Sequence, residues 1–285
     1  MTTFYETRAL GRTGFPVGRL GVATSYGAPA AAFEEAFEHG VNYFYWGSRR
    51  SRAMVDAVTA ISKKGSRDDL LIVMQSYSRS ATLMRRWFHK GLKKLGQDRV
   101  EVLLLGWHNS LPSPRILDEA MALKEAGLIR FIGLSGHNRP LFPELARDDR
   151  FDLFHVRYNA VHRGAESEVF DRLPEEGRPG IVTFTATRWG DLLKAKKMPP
   201  GESPPRASDC YRFALSNPAV DLCMTGPGSV EQMREALSAL DRGPLDDEEM
   251  VRMRRIGDHI HAKHKRPFSA SRRRIRNDHN QLLRL

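Results

Sequence analysis

Tyr45, Arg49 and Arg50 fall within six residues of one another, in Tyr43-Phe44-Tyr45-Trp46-Gly47-Ser48-Arg49-Arg50. A neighbouring guanidinium favours the ionised form of a phenol, which makes Tyr45 a candidate proton donor or acceptor. Further along, His108, His137, His155 and His162 stand at or just past apolar runs that read as strands. They are either proton carriers gathered on one face or ordinary hydrogen-bonded loop residues. No carboxylate or cysteine stands beside them at ligand spacing, so no metal site is expected. Arg157 and Arg163 carry two readings, as ion-pair partners of Glu166 or Glu168 and as cationic ligand contacts alongside Arg50. Cys210 and Cys223 fit no zinc or redox motif and read as reduced, partly buried thiols.

The elements that must position these groups alternate in kind. Short β-branched apolar runs at 19–25, 42–47, 70–75, 100–107, 129–135, 153–158, 181–187 and 222–225 read as eight strands. Between them, and after the last, lie segments of helical period at 30–38, 53–62, 82–95, 115–125, 141–146, 166–172, 209–215 and 230–240, with Leu83, Trp87, Leu92 and Leu95 typical of the spacing. Eight strand-then-helix units predict an α/β fold in which parallel strands close into a (β/α)8 TIM barrel. Residues 7–13 and 15–20 flank Gly14 and predict an N-terminal β-hairpin, and 246–261 predict an extra C-terminal helix through Met250, Met253, Ile256 and Ile260. Gly40, Gly96 and Gly127 mark helix ends. The Pro-rich run 198–205 is expected to be an exposed loop after the seventh strand. Gly11, Gly14 and Gly18 precede a strand and open no helix, which excludes a Rossmann fingerprint.

A chain of 285 residues with 41% apolar content suits one such domain, taken as 1–261. The charge of +11 is uneven: after residue 261 eight basic residues face Asp278 alone, so +7 sits in 262–285 and +4 in the rest. That tail is expected to be a solvated, mobile extension, with nucleic-acid binding unlikely. No run approaches the ~20 apolar residues of a membrane helix, and no membrane partner is expected. The start has no leader pattern, so a soluble cytoplasmic protein is expected, its oligomeric state open.

Several segments together resemble the aldo-keto reductases: Leu10-Gly11-Arg12-Thr13-Gly14, Gly40-Val41-Asn42-Tyr43-Phe44, Ile129-Arg130-Phe131-Ile132-Gly133-Leu134-Ser135 and Thr225-Gly226-Pro227-Gly228-Ser229. The resemblance covers nearly the whole chain to about residue 240. It implies a nicotinamide cofactor, NADP or NAD, and a catalytic group of Asp, Tyr, Lys and His. At those four positions stand Tyr45, Arg50, Gln75 and Gly106, and His108 lies two residues past the last. Changing Asp and Lys together to Tyr45 and Gln75 removes both members of an ion pair, so no buried charge is orphaned. Arg50 adds a permanent cation that cannot act as an acid near neutral pH.

On the cofactor side the resemblance implies Thr24, Ser135, His155, Phe184, Thr185, Gly226, Ser229, Gln232 and Glu235 as contacts, with Gly136 following Ser135 and Arg188 as a substitute cation. The family's 2′-phosphate Arg is Gly228 here, and its adenine-binding Asn is Ala236. The expectation is an aldo-keto-reductase-like protein of altered chemistry, with Tyr45, Arg50 and His108 as candidates and an anionic small-molecule ligand. The alternatives are a non-catalytic ligand-binding or regulatory barrel, and a carbonyl oxidoreductase with an unusual proton donor.

Overall fold

The computed structural model describes residues 3–47 and 51–265. A two-stranded antiparallel hairpin, β1 (Arg8–Ala9) and β2 (Pro16–Val17), pairs Arg8 with Val17 and Ala9 with Pro16 across a 3₁₀ turn at Gly11–Thr13. Among the described residues eight parallel strands follow and close into one barrel: β3 (Leu20–Ala23), β4 (Tyr43–Trp46), β5 (Leu71–Ser76), β6 (Val102–Leu105), β7 (Phe131–Ser135), β8 (Leu153–Arg157), β9 (Gly180–Phe184) and β10 (Leu222–Thr225). β10 pairs with both β9 and β3, which completes the ring. The expected (β/α)8 architecture is what the chain adopts.

Outside the ring lie α1 (Ala30–Glu38), α2 (Arg52–Lys63), α3 (Ala81–Leu95), α4 (Pro114–Glu125), α5 (Leu141–Leu145), α6 (Ala165–Glu168), α7 (Ala207–Leu215), α8 (Val230–Arg242) and α9 (Asp247–Lys265). Strand side chains alternate between two faces, and the core divides accordingly. Outward residues such as Phe44, Ile72, Leu103 and Phe154 join the helices in one buried cluster. Inward residues, among them Tyr43, Leu71, Val73, Leu104, Leu153 and Leu222, form a second cluster inside the barrel. Leu10, Phe15 and Val17 of the hairpin belong to that inner cluster, so the hairpin plugs the floor. Chemistry is left to the opposite, C-terminal mouth.

Three elements depart from expectation. The helix foreseen over 166–172 breaks at Val169 (φ −126°), giving α6 and a separate 3₁₀ turn at Phe170–Arg172. Val169 and Phe170 are buried, and Phe170 meets the Tyr158 ring edge-on at 5.2 Å. Packing overrides the helical period there. The Pro-rich run is not simply exposed: Met198 and Pro205 are buried, and Glu202 accepts hydrogen bonds from Arg252 and Arg255 of α9. The last helix continues to Lys265, past the expected boundary at 261, and the rest of the basic tail lies outside the described residues. Among the described residues no helix is long and apolar enough to cross a membrane.

Candidate functional site

Period-two alternation carries Tyr43 and Tyr45 of β4, Gln75 of β5, Ser135 of β7, His155 and Arg157 of β8 and Phe184 of β9 onto the inward face. The ladder sets their heights: Ala23 pairs with Tyr45, Ser135 with His155, and Arg157 with Phe184. Tyr45 and Phe184 cap the inner apolar cluster as half-buried rings, so they form the mouth layer. His155 lies one layer deeper, its ring 5.8 Å from that of Tyr45 and 5.9 Å from that of Tyr43.

Two polar connections organise this layer. The Tyr45 hydroxyl donates to Gln75 Oε1, and Gln75 Nε2 lies 3.5 Å from Ser135 Oγ, which also accepts from the Trp107 N–H at 3.3 Å. Beneath it, the Tyr43 hydroxyl and His155 Nε2 are 2.6 Å apart. Full burial holds the His155 imidazole down to about 3, neutral at physiological pH, and pushes the Tyr43 phenol well up. Both connections are uncharged. Gly106 is fitted to the first: a Cβ there would stand 2.3 Å from Gln75 Nε2, so an imidazole and Gln75 cannot share this place as arranged.

His108, expected to curl over the pocket, is buried, with Nε2 lacking any hydrogen-bond partner among the described residues. Burial and then the Arg79 charge hold it down to about 4. It is a buried, neutral imidazole in the loop that follows β6. Arg49 and Arg50 lie outside the described residues. Cys210 and Cys223 are buried and unbridged, both thiols pushed up by burial. Among the described residues no group of three or more His, Cys, Asp or Glu is placed to hold a metal.

The residues implied as cofactor contacts have the following places. Thr24 is buried and bonded through Oγ1 to the Ser51 hydroxyl, which itself accepts from Met54 N at the start of α2. Ser229 caps α8 by accepting from Gln232 N at 3.2 Å, and Gln232 Oε1 accepts the Gly228 N–H at 2.7 Å. Glu235 Oε1 takes both Ser208 N and Ser208 Oγ, at 3.2 and 2.8 Å. The exposed Tyr26 ring lies across Gly226, where a Cβ would meet it at 2.5 Å. Thr185 donates its hydroxyl to the Phe184 carbonyl, and Arg188 pairs with Asp191 at 3.0 Å while its Nε faces His162 Nε2 at 3.4 Å.

Of the two readings of Arg157 and Arg163, the ion pairing with Glu166 or Glu168 is not what the side chains adopt. Glu168 pairs with Arg139 at 2.7 Å, Glu166 with Arg254 at 2.8 Å, and Arg163 with Asp258 on α9 at 2.5 Å. The Arg157 side chain makes no hydrogen bond or ion pair among the described residues. Burial, then the Arg139 and Arg188 charges, lower it from the usual guanidinium range. His137 is lowered by burial and then by the Arg157 and Arg139 charges, and His162 is held to about 4 by burial and then by the Arg157 and Arg188 charges.

Sequence reasoning missed Tyr43, although it lies two residues before Tyr45 and therefore on the same face. It also missed the wall of Tyr77 and Trp107, exposed rings 5.6 Å apart at an edge-on angle, with His137 6.4 Å from Trp107. Arg79 holds the Tyr77, Gly106 and Trp107 carbonyls. Among the described residues, the non-glycine residues with positive φ are Trp107 (57°), Thr185 (61°), Arg188 (53°) and Trp189 (53°), all just beyond β6 or β9. Left-handed backbone in such residues is costly and gathers at functional loops.

Against known proteins, the model of the aldo/keto reductase family matches residues 20–207. The uncharacterized oxidoreductase YqkF of Bacillus subtilis (strain 168) is similar at 20% identity, spanning 82% of this chain and 89% of its own length. The aldo-keto reductase AKR11C1 of Bacillus halodurans superposes with a TM-score of 0.71 in its holo form, at 18% identity over 88% of this chain and 96% of that one. Its apo form gives the same TM-score at 21% identity, over 88% and 95%.

Proposed function

The chain belongs to the aldo/keto reductase family, and on that footing we propose that it binds a nicotinamide nucleotide, NADP or NAD, at the C-terminal mouth and serves a chemistry other than ordinary carbonyl reduction. The observation that carries this reading is the Tyr45–Gln75–Ser135 connection with Gly106 packed against it. Gln75 accepts from the Tyr45 hydroxyl but has no charge with which to draw the proton away, and Gly106 has no side chain to orient a carbonyl. The residues suited to the nucleotide are the Ser229-capped start of α8 for phosphate, Phe184 for the nicotinamide ring and Ser135 for its carboxamide. When bound, the nucleotide supplies hydride. The chain's own part is to hold that ring between apolar walls and to offer the Tyr45 hydroxyl as the proton-bearing group. A cytoplasmic setting belongs to the same proposal.

A second reading, a non-catalytic ligand-binding barrel, is favoured by one specific observation: Gln232 and Glu235 are engaged with protein atoms rather than turned toward a ligand. Titration of the protein with NADPH and NADH, followed by fluorescence, separates the two. Saturation below about 100 μM, with turnover of simple aldehydes far below ~1 s⁻¹, is expected. No binding of either nucleotide would transfer support to the second reading. Aldehyde turnover near ~1 s⁻¹ would overturn both.

A further inference from the structure

Arg157 is the third inward residue of β8, after Leu153 in the inner cluster and His155 above it, and it pairs across the ladder with Phe184 at the mouth. It is half-buried. Glu166, Glu168 and Asp191, on the segments that follow β8 and β9, are committed elsewhere: Glu166 to Arg254 and the Tyr158 hydroxyl, Glu168 to Arg139, and Asp191 to Arg188, Lys194 and Lys197. A desolvated cation without a counter-ion is unfavourable. The Arg139 and Arg188 charges, each paired to its own carboxylate, still lower Arg157, and the Arg157 charge in turn lowers His137 and His162 on the same side.

We propose that Arg157 anchors an oxyanion subsite on the β7–β9 side of the mouth, where it holds the carboxylate or phosphate of a small-molecule ligand. The proposal rests on the mouth being the ligand site, as above, but needs no nucleotide in place. A guanidinium fork grips a planar carboxylate or a phosphate in two parallel hydrogen bonds, and an ammonium cannot reproduce that geometry. The exposed Trp107 and Tyr77 rings, with His137 6.4 Å from Trp107, offer an aromatic face to a flat ligand body.

The test uses three probes that share an aromatic body: 2-naphthoate, 2-naphthyl phosphate and the neutral 2-naphthalenemethanol, each titrated calorimetrically into the full chain at low salt. At least one anion is expected to bind about tenfold or more tighter than the alcohol, and which one does so identifies the oxyanion. Arg157→Gln should erase that preference and leave alcohol binding unchanged, whereas Arg157→Lys should keep part of it. Anions binding wild type no better than the alcohol would overturn the proposal, as would a preference that survives in Arg157→Gln. Should the Gln variant fail to fold, an undiminished preference in Arg157→Lys would count against the fork in the same way. A parallel NADPH titration keeps the two readings apart. Nucleotide binding without anion preference defeats only the subsite, and anion preference without nucleotide binding defeats only the cofactor reading.

Discussion

The Tyr43 hydroxyl and His155 Nε2 stand 2.6 Å apart in a layer fully shielded from water, one step below the mouth. His155 is held down to about 3, against 6.5 for a free imidazole. Between those values the unfolded chain binds a proton that the folded chain does not. The stability contribution is complete above about pH 6.5 and is lost as pH falls toward 3. His155→Gln, which retains an acceptor for Tyr43, should remove about 2 kcal/mol of the acid sensitivity between pH 7 and pH 5. Urea unfolding at the two pH values checks this, and an unchanged difference between them would refute it.

Gly106→Ala should destabilise by about 1–3 kcal/mol, because the new methyl meets Gln75 Nε2 and the Tyr77 ring. Gln75→Ala in the same chain should recover most of that loss. Thermal unfolding of the single and double variants measures the coupling, and strict additivity would mean that the two residues do not compete for one space.

Arg212 is buried and gripped by Glu249 through two contacts of 2.6 Å, and it also donates to the Gly243 and Pro244 carbonyls and, at 3.5 Å, to Asp209. It ties α7 to the start of α9. Arg212→Met leaves Glu249 and those carbonyls short of a partner and should cost about 3 kcal/mol or more. Arg212→Lys should rescue little, since an ammonium cannot reach all of these acceptors. Denaturant midpoints read the loss, and a Lys variant as stable as wild type would be the contrary result.

Ser229→Ala removes the cap of α8 and should lower stability by about 1 kcal/mol. If this helix start holds a nucleotide phosphate, the same change should also weaken NADPH by about three- to tenfold. Stability loss with unaltered NADPH affinity would move the phosphate elsewhere.

The barrel was legible because strand and helix periods alternate along the chain and each strand ends in turn chemistry. The break at Val169 was not, since it depends on Phe170 finding Tyr158 from outside its own helix. Tyr45 and Gln75 could be placed only through family resemblance; that they bond to each other follows from the β4–β5 register, which periodicity does not supply. Which of the two readings of Arg157 holds was illegible for a related reason. Glu166 lies nine residues away in sequence, yet it is claimed by Arg254, 88 residues from it. Arg50, central to the sequence expectation, lies outside the described residues.

Trp107, Thr185, Arg188 and Trp189 adopt left-handed backbone conformations that isolated residues of their kind avoid. Carbonyls gripped by Arg79, and the turn in which Arg188 N bonds to Thr185 O, hold these loops in place. The lip of the barrel is therefore shaped by its scaffold rather than by whatever enters it. Preorganisation of this kind reduces the ordering a ligand must impose, so recognition here should be closer to lock and key than to induced fit.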